Sequence, residues 1–511
     1  MITIISKKTH TPHKPPQITD NHSAFFELCL TITLFGSMGA ITWAIRGTAG
    51  WGGVDGTVLP GMTWGLLWYY ICYRNGLDAR GIVLWLGLGI ALGGELGYGQ
   101  YVSWIQGRFH AGENILPISP WIGYRWFFLC GIGWAAPGGI LLGWALSRAT
   151  VRMWIVRSLL LVLLLFLLFA WPLVDRLGQV CLRLCPDLLF PHADLGLYSG
   201  ELDKHLSRTV YTNTQNFFVF IWWLAALTVA AIGKDRVTLT IGSLLGFGFG
   251  LGFMQSALWC IGYSYAPNYM DWWKMWELNA GFNLGVLYAL ALFWARRNLY
   301  SSLSKNEPFD KSSKEDLSFG WQKTIFLAFA GGLLIFFIGF EYFFYTGLFL
   351  TLFYTVATLF TMSGKRRIID SNTISERQKS ISLIFSIFLL LFLLFHGGSE
   401  RAGILLGLYQ AEAVDQYAWP SARIFLFAPF AILIVGVALY KMWRIMRNGE
   451  RVDRVVRPLS RPEYMIDLMT LIGFIGALSI WPAKIGVLYA FFIFLALFAF
   501  CRLERFLNNT G

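Results

Sequence analysis

Runs of about 20 apolar residues recur from one end of the chain to the other, and a helix needs about 20 such residues to cross a bilayer. The 511 residues are 56% hydrophobic and 14% charged, which is more apolar surface than a soluble domain of this length hides. The chain is therefore predicted to be an all-α, polytopic integral membrane protein, a helical bundle of about 12 to 14 transmembrane helices, with about 14 favoured.

The predicted spans share high apolar content and a length close to that of a membrane-crossing helix. They lie near 25–45, 56–73, 81–98, 121–146, 153–174, 216–232, 237–262, 275–295, 321–340, 342–362, 380–397, 423–441, 465–482 and 484–501. The spans near 56–73 and 216–232 are short, and the 321–362 region could be divided differently.

The distribution of basic residues predicts how the spans are oriented. If the N-terminus lies inside and the spans alternate, about 30 Lys and Arg residues fall on the cytoplasmic side, as the positive-inside rule expects. The basic inside loops are 147–152, 233–236, 363–367 and 441–461. This topology accounts for the net charge of +12 without nucleic acid. Both termini are predicted to be cytoplasmic in a plasma membrane, with the bacterial inner membrane favoured.

Polar stretches divide the chain. Residues 1–24 are predicted to be a cytoplasmic tail and not a cleaved signal peptide. A membrane block of about eight helices is predicted at 25–295, with an outside loop at 175–215. A cytoplasmic linker follows at 296–320. The remainder is a membrane block of about six helices at 321–503 and a cytoplasmic tail at 504–511.

The outside loop contains two further features. Residues 200–215 have the mixed composition of an amphipathic helix at the membrane interface. Cys181 and Cys185 lie where a disulfide is chemically possible, although a spacing of four on a helix is poor disulfide geometry.

Glycine stripes and short sequence echoes indicate close helix packing and possible internal repeats. The stripes recur every four residues, which lets a neighbouring helix approach closely. They comprise Gly89, Gly93 and Gly97, and Gly242, Gly246 and Gly250. Residues 125–131 resemble 274–281, and 93–97 with 123–129 resemble 397–403 with 421–427. The two echoes imply different repeat periods.

Polar residues concentrate at the predicted outer ends of the spans. Glu95 lies opposite the first glycine stripe, so it is predicted to face a cavity or the outer water rather than lipid. The candidate substrate-binding residues share this outer position: Arg46, Asp55, Glu95, Arg125, Trp276, Glu277, Asn279, Asn283, His396, Glu400, Arg401 and Arg423. Alternatively, the arginines anchor the spans and the asparagines join helices. Tryptophans beside these groups suit a sugar-like ligand.

Several function classes lack their motifs. The glycine-rich segment 46–56 lacks the Gly-Lys-Ser/Thr ending of a phosphate loop, and the chain contains no Gly-x-Ser-x-Gly elbow. No Cys-x-x-Cys or histidine-rich pattern suggests a metal. We therefore expect no metal and no cofactor. The expected partners are membrane lipids and a small-molecule or lipid-linked substrate, without nucleic acid, and the oligomeric state is left open.

Two segments carry arginine–glycine patterns of one known family. The loop R-N-G-L-D-A-R-G at 74–81 is similar to the Gly-x-x-Asp-Arg-x-Gly-Arg signature of major facilitator superfamily transporters, with one residue inserted between Asp and Arg and no trailing basic pair. Residues 125–139 are similar to that family's Arg-then-Gly-x-Gly pattern. The matching positions are Asp78, Arg80, Gly81, Arg125, Gly131 and Gly133. The resemblance implies helical bundles that rock around a central site.

These observations favour a secondary-type membrane transporter with an outward-opening, polar, Trp-rich cavity. Glu95, with Glu277 or Glu400, would carry protons or pair with substrate, and Arg125 and Arg423 would attract an anionic group. The substrate class is sugar-like or anionic. The alternative is a membrane-embedded transferase that acts on a lipid-linked sugar or lipid at the outer face. There His396, Glu95 or Glu400 would be the base, and no catalytic residue is singled out.

Overall fold

The described chain is mostly helical. The computed structural model describes residues 21–48, 54–74, 79, 82–94, 100–300, scattered positions between 322 and 333, and 483–510. The helices are α1 (Asn21–Thr48), α2 (Val54–Arg74), α3 (Ile82–Gly93), α4 (Gln100–Ile105), α5 (Pro120–Leu146), α6 (Val151–Phe169), α7 (Trp171–Leu184), α8 (Pro186–Leu189), α9 (Lys204–Ile232), α10 (Arg236–Ser256), α11 (Gly262–Tyr265), α12 (Trp272–Ala295) and α13 (Ala483–Thr510). Short 3₁₀ turns cover Ala193–Leu195 and Ala257–Ile261, and a π turn covers Arg296–Tyr300.

Among the described residues, seven helices are long and apolar enough to cross a membrane. They comprise Ser23–Ala44, Pro120–Leu146, Val151–Phe169, Lys204–Ile232, Arg236–Tyr265, Trp272–Leu299 and Val487–Leu507. The helical, multi-pass character predicted from the sequence is therefore confirmed. The total of about 14 spans, the cytoplasmic termini and the internal repeats stay predictions. The spans predicted between 342 and 482 lie outside the described residues.

Two predicted spans have different bounds in the structure. The span predicted at 81–98 contains α3, which has 12 residues and ends at Gly93, where two consecutive glycines weaken helix formation. The span predicted at 216–232 begins much earlier, because α9 has 29 residues and starts at Lys204. Asp203 caps α9 by accepting hydrogen bonds from the backbone N–H groups of His205 and Leu206.

A cap covers the end of the bundle where α5, α9 and α12 begin; we call this the capped end. The cap consists of α4, α7, α8 and a hairpin of strands β1 (Arg108–Ala111) and β2 (Asn114–Pro117). This hairpin is the exception to the predicted all-α class within the described chain. Much of the predicted outside loop 175–215 is helical, because it contains most of α7, all of α8 and the start of α9.

The amphipathic helix of this region is α7, and the interfacial helix predicted at 200–215 is wrong. Val174, Gly178 and Cys181 are buried at helical spacing, whereas the charged residues of α7 are exposed. Residues 204–215 instead form the first turns of α9. Lys204, His205 and Arg208 are exposed, whereas the polar side chains of residues 212–215 are buried. Hydropathy alone cannot distinguish the two, because both arrangements place polar residues beside an apolar helix.

Glycines bring antiparallel helices into close contact. A Cβ atom on Gly281 of α12 would overlap the carbonyl oxygen of Gly39 of α1, and one on Gly39 would overlap that of Gly281. Gly89 and Gly93 lie in the same way against Gly138 and Trp134 of α5. The close approach predicted for the first stripe is therefore confirmed at the two positions that the structure describes.

Gly242 and Gly250 also lie against α5, where Ile140 and Ile132 occupy the space of a Cβ atom. A Cβ atom on Gly246 would instead meet the Trp223 ring of α9. The second predicted stripe is thus shared between two neighbouring helices.

We expect Gly281→Ala to lower the free energy of unfolding by about 1–3 kcal/mol, because the new methyl group must force α1 and α12 apart. Thermal unfolding in detergent measures this. Gly233→Ala is the matched control, since the nearest atom to its added methyl group would be the flexible end of Met153. Equal losses for the two variants would contradict the close helix contact.

The opposite end of the bundle contains two ion pairs, Arg157 with Asp235 and Arg296 with Glu27; we call it the arginine end. The rings of Phe26 and Phe506, 6.0 Å apart, place the start of α1 and the end of α13 together at this end. Both ends of the described chain thus lie on one side of the bundle. The positive-inside bias predicts that this side is cytoplasmic.

The two cap thiols offer a test of sidedness. Cys181 and Cys185 are free, and burial together with the neighbouring Cys185 thiol raises the pKa of Cys181 to about 11. In variants that keep one of the seven cysteines, we expect an impermeant maleimide to label Cys185 from outside and to label Cys181 far more slowly at neutral pH. Labelling of Cys185 only from the cytoplasmic side would invert the predicted topology.

Candidate functional site

The structure describes the side chains of five predicted site residues: Arg125, Trp276, Glu277, Asn279 and Asn283. Arg46 lies in the last turn of α1 and Asp55 in the first turn of α2, but their side chains are outside the described part. The remaining candidates lie wholly outside the described residues: Glu95, His396, Glu400, Arg401 and Arg423.

A buried ion pair lies in the first turns of α12. Lys274 Nζ and Glu277 Oε2 are 2.5 Å apart, and the two side chains are 5% and 4% exposed. The ammonium group also lies 3.5 Å from the Ala44 carbonyl of α1, and Trp273 donates its indole N–H to Glu277 Oε1 at 3.0 Å. Each charge is thus held by groups from α12 and α1 in the interior of the bundle. The candidate residues taken from the sequence include Glu277 but not Lys274.

Aromatic rings connect this pair to the centre of the capped end. Trp276, 2% exposed, packs edge-on against Trp273 at 4.9 Å and Phe127 at 5.5 Å. Phe127 in turn meets Tyr101 of α4 at 5.8 Å, and Tyr101 stacks on Trp126 at 6.0 Å. These rings form a continuous buried layer, and the predicted outward-opening, Trp-rich cavity stays a prediction.

Two buried asparagines of α9 complete this layer. Tyr101 donates its hydroxyl to Asn213 Oδ1 at 2.8 Å and accepts from Asn216 Nδ2 at 3.2 Å. Asn213 also donates to the Leu189 carbonyl of the cap at 2.6 Å. Both asparagines are fully buried. Sequence reasoning missed them because Asn213 lies in the segment 200–215 that was assigned to the interface and Asn216 is the first residue of the predicted span 216–232. The signal was the unbroken helical run from these polar residues into the apolar half of α9.

Three buried polar atoms of this layer have no hydrogen-bond partner among the described residues: Trp126 Nε1, Trp276 Nε1 and Asn216 Oδ1. Two are donors and one is an acceptor. Leaving such groups unpaired costs about 1–3 kcal/mol each, which a ligand with hydroxyl groups would offset. We call Trp126, Trp276, Asn216, Lys274 and Glu277 the inner site.

Arg125 does not join the inner site. Its guanidinium group is exposed, donates to the Leu188 carbonyl at 3.2 Å and lies 5.8 Å from the Trp126 ring centroid. It therefore fastens the cap to α5, which matches the alternative interpretation of the span-end arginines as anchors.

Asn279 and Asn283 point elsewhere, toward α10. Asn279 Oδ1 accepts from Gln255 at 3.0 Å and from the Trp259 indole at 3.1 Å. Asn283 Nδ2 donates to the Gly252 carbonyl at 2.8 Å and to Gln255 Oε1 at 2.7 Å. These amides join two helices at the surface of the described bundle. The five candidates whose side chains are described therefore do not form one site, and the grouping of the other seven stays a prediction.

Comparison with known proteins assigns no function. No protein-family model matches the chain, and neither a curated protein nor a solved structure matches it. Within the described residues, no group of three or more His, Cys, Asp or Glu side chains is arranged to hold a metal.

Proposed function

We propose that the protein is a secondary-type membrane transporter for a small solute rich in hydroxyl groups, bound at the inner site. The observation that carries this proposal is the buried Lys274–Glu277 pair within a helix long enough to span the membrane. A buried ion pair is weak evidence for stability, since apolar residues of similar volume often stabilise as well. Ionisable residues inside spans usually mark a substrate or ion pathway.

The charge pair can couple solute to ion movement. Protonation of Glu277 would release Lys274. The Lys274 ammonium group also lies 3.5 Å from the Ala44 carbonyl oxygen of α1. A rearrangement between α1 and α12 would then depend on whether the Glu277 carboxylate carries a proton. Alternating exposure of one central site by rocking helices is the mechanism that such a switch would serve.

The solute class follows from the unpaired groups. Two indole N–H donors and one amide acceptor suit hydroxyl groups, which both donate and accept. The surrounding aromatic faces suit the apolar faces of a sugar ring. An anionic substrate has less support, because Arg125 is bonded to the cap.

Two further buried hydroxyl groups favour a substrate pathway that continues through the bundle. Tyr288 Oη and Ser37 Oγ are fully buried and have no hydrogen-bond partner in the part of the chain that the structure describes. Tyr288 lies 16 residues into α12, which is about 24 Å along the helix from the capped end. Polar atoms therefore continue beyond the inner site toward the arginine end, which a pathway requires and an outer-face enzyme does not.

The second candidate is a transferase that acts on a lipid-linked sugar at the outer face. It is favoured by the position of the inner site, which lies at the capped end, beneath α4 and the end of α8. The amides and indoles would then hold a sugar while a group outside the described residues reacts.

Reconstitution tests the proposal. Proteoliposomes would be given radiolabelled hexoses, disaccharides and sugar acids, with and without an imposed proton gradient. We expect gradient-driven accumulation of at least one neutral sugar. Liposomes containing Lys274→Met/Glu277→Leu, which keeps the volume of the pair and removes its charge, are the control. Accumulation no greater than in that control for every solute would contradict the proposal.

A further inference from the structure

Two cysteines lie on either side of the last turn of α7. The backbone N–H of Cys185 donates to the carbonyl oxygen of Cys181 at 2.8 Å, which closes this turn. Residues four apart in a helix have Cα atoms about 6 Å apart, a separation that a disulfide can bridge. Both thiols are free, and burial together with the neighbouring Cys185 thiol raises the pKa of the Cys181 thiol. The two thiol groups therefore interact across the turn.

Cys185 lies where the backbone can make the small movement that a disulfide requires. Cβ atoms four residues apart on a regular helix are about 5–6 Å apart, whereas a disulfide needs about 3.5–4.5 Å. Cys185 has already left the helix, with φ −148° and ψ 57°, and Pro186 follows it. The spacing of four, which is unfavourable on a regular helix, is therefore relieved at this helix end.

The two thiols differ in exposure, and this difference sets the order in which they react. Cys181 is 6% exposed, whereas Cys185 is half-buried. Leu184 and Leu188, on either side of Cys185, are 79% and 51% exposed. An oxidant therefore meets Cys185 first, and Cys181 lies one turn away as the resolving thiol. An accessible thiol beside a resolving thiol is the usual arrangement of redox-sensitive cysteines.

Cys185 also joins α7 to α8, whose carbonyl groups hold the cap on the bundle. The Leu188 carbonyl oxygen accepts from Arg125 of α5 at 3.2 Å. The Leu189 carbonyl oxygen accepts from Asn213 of α9 at 2.6 Å, and Asn213 belongs to the buried layer beside the inner site. A movement of Cys185 therefore shifts the segment that makes both bonds.

We propose that Cys181 and Cys185 are a reversible redox pair, which a low-molecular-weight disulfide oxidises to an intramolecular disulfide that loosens the contacts of α8. The Cys185 thiolate first attacks the oxidant RSSR, which forms a Cys185–S–S–R bond and releases one RSH with the proton from Cys185. The Cys181 thiolate then attacks the Cys185 sulfur and releases the second RSH. The protein loses two electrons and two protons, which reduce RSSR to two RSH.

Such a disulfide would be a switch and not a structural staple. It closes a loop of only a few residues, so it removes little entropy from the unfolded chain. Exposed or strained disulfides are the ones that are reduced most readily. The predicted topology places the capped end outside, where disulfides form. The redox pair does not depend on the proposed transport activity.

Peptide mass spectrometry of the purified full chain tests the proposal. The protein in detergent would be equilibrated with mixtures of reduced and oxidised glutathione, and free thiols would then be blocked with N-ethylmaleimide under denaturing conditions. We expect Cys181 and Cys185 to pass from two blocked thiols to an intramolecular disulfide as the oxidised fraction rises, and dithiothreitol to reverse this change.

Single variants test the order of the two steps. Cys181→Ala should stop at a glutathione mixed disulfide on Cys185, because the resolving thiol is gone. Cys185→Ala should leave Cys181 reduced, because that thiol is buried. Cys501→Ala, at an exposed position of α13, is the control and should leave oxidation of the pair unchanged.

Hydrogen exchange of the reduced and oxidised forms measures the coupling to α8. The backbone N–H groups of Leu188 and Phe190 donate to the carbonyl oxygens of Cys185 and Pro186. We expect these amides to exchange at least about tenfold faster in the oxidised protein, because the disulfide displaces Cys185. Peptides from 236–256 of α10 are the internal reference and should not change.

Several outcomes would overturn the proposal. Thiols that stay reduced in every glutathione mixture, or a disulfide that joins two chains, would exclude the intramolecular pair. Equal exchange of α8 in the two forms would exclude its coupling to the cap. Should Cys181→Ala fail to fold, brief oxidation of the native chain replaces it, and the mixed disulfide on Cys185 must then precede the intramolecular bond.

Discussion

Glu277→Gln is expected to reduce solute uptake into proteoliposomes by about 100-fold or more. The substitution keeps an oxygen for the Trp273 indole but leaves the Lys274 ammonium buried beside a neutral amide. Without a carboxylate at position 277 no proton can be bound and released there, so the proposed coupling step is lost. Breaking the buried pair also costs about 3–5 kcal/mol of folding stability, so uptake is compared per folded molecule. Lys274→Met should have a similar effect, because it leaves the Glu277 carboxylate without its cation.

The double variant separates function from folding. Lys274→Met/Glu277→Leu removes both charges, so its thermal unfolding midpoint should return to near the native value. Its uptake should stay as low as that of the single variants. If the double variant recovers uptake together with stability, the pair is only structural and the proposed coupling is wrong.

Asp235→Ala is expected to be the most destabilising substitution at the arginine end, by about 3–5 kcal/mol. Asp235 accepts from Arg157 at 2.8 Å and caps α10 by accepting from the Thr238 backbone N–H at 3.0 Å. Arg157 lies 4.6 Å and 5.5 Å from the ring centroids of Trp154 and Trp144. Removing the carboxylate leaves this guanidinium buried without its counterion.

Asp235→Asn provides the graded comparison. The amide oxygen can still cap α10, so this variant should lose less stability than Asp235→Ala, by about 1 kcal/mol, the usual worth of a helix cap. Thermal unfolding in detergent orders the variants. Uptake per folded molecule should be unchanged in both, since Arg157 and Asp235 lie at the arginine end, away from the inner site. Loss of uptake without loss of stability would contradict this structural role.

The helices that hydropathy predicts best are those whose buried faces are apolar. The predicted spans near 121–146, 237–262 and 275–295 match α5, α10 and α12 within a few residues. The glycine stripes were informative because glycine spacing reports close helix contact directly. The short α3 and the long α9 were missed because a hydropathy window neither ends at a glycine pair nor extends into buried polar residues.

The site was only partly predictable, for a physical reason. Glu277 was identified as a carboxylate at the start of an apolar span, where ionisable residues are costly, and Trp276 because it shares a helix face with Asn279 and Asn283. Asn216 is neutral and became a site residue only through its burial beneath the cap, where it donates to Tyr101 of α4. Asn279 and Asn283 lie on the same helix as Trp276, yet their amides bond to α10 at the surface. Helical periodicity predicts which residues share a face of a helix, but it does not predict which neighbouring helix or solvent that face contacts.

Access to Asn216 from the two sides of the membrane tests the transporter proposal most directly. Asn216 is fully buried in the described conformation, so labelling there reports opening. Asn216→Cys, in a chain whose seven native cysteines are replaced by serine, would be treated with an impermeant maleimide from each side of oriented vesicles. We expect labelling from both sides, with a balance that shifts when a transported sugar is added. Labelling from the outside only, whatever solute is present, would contradict transport and favour an outer-face enzyme.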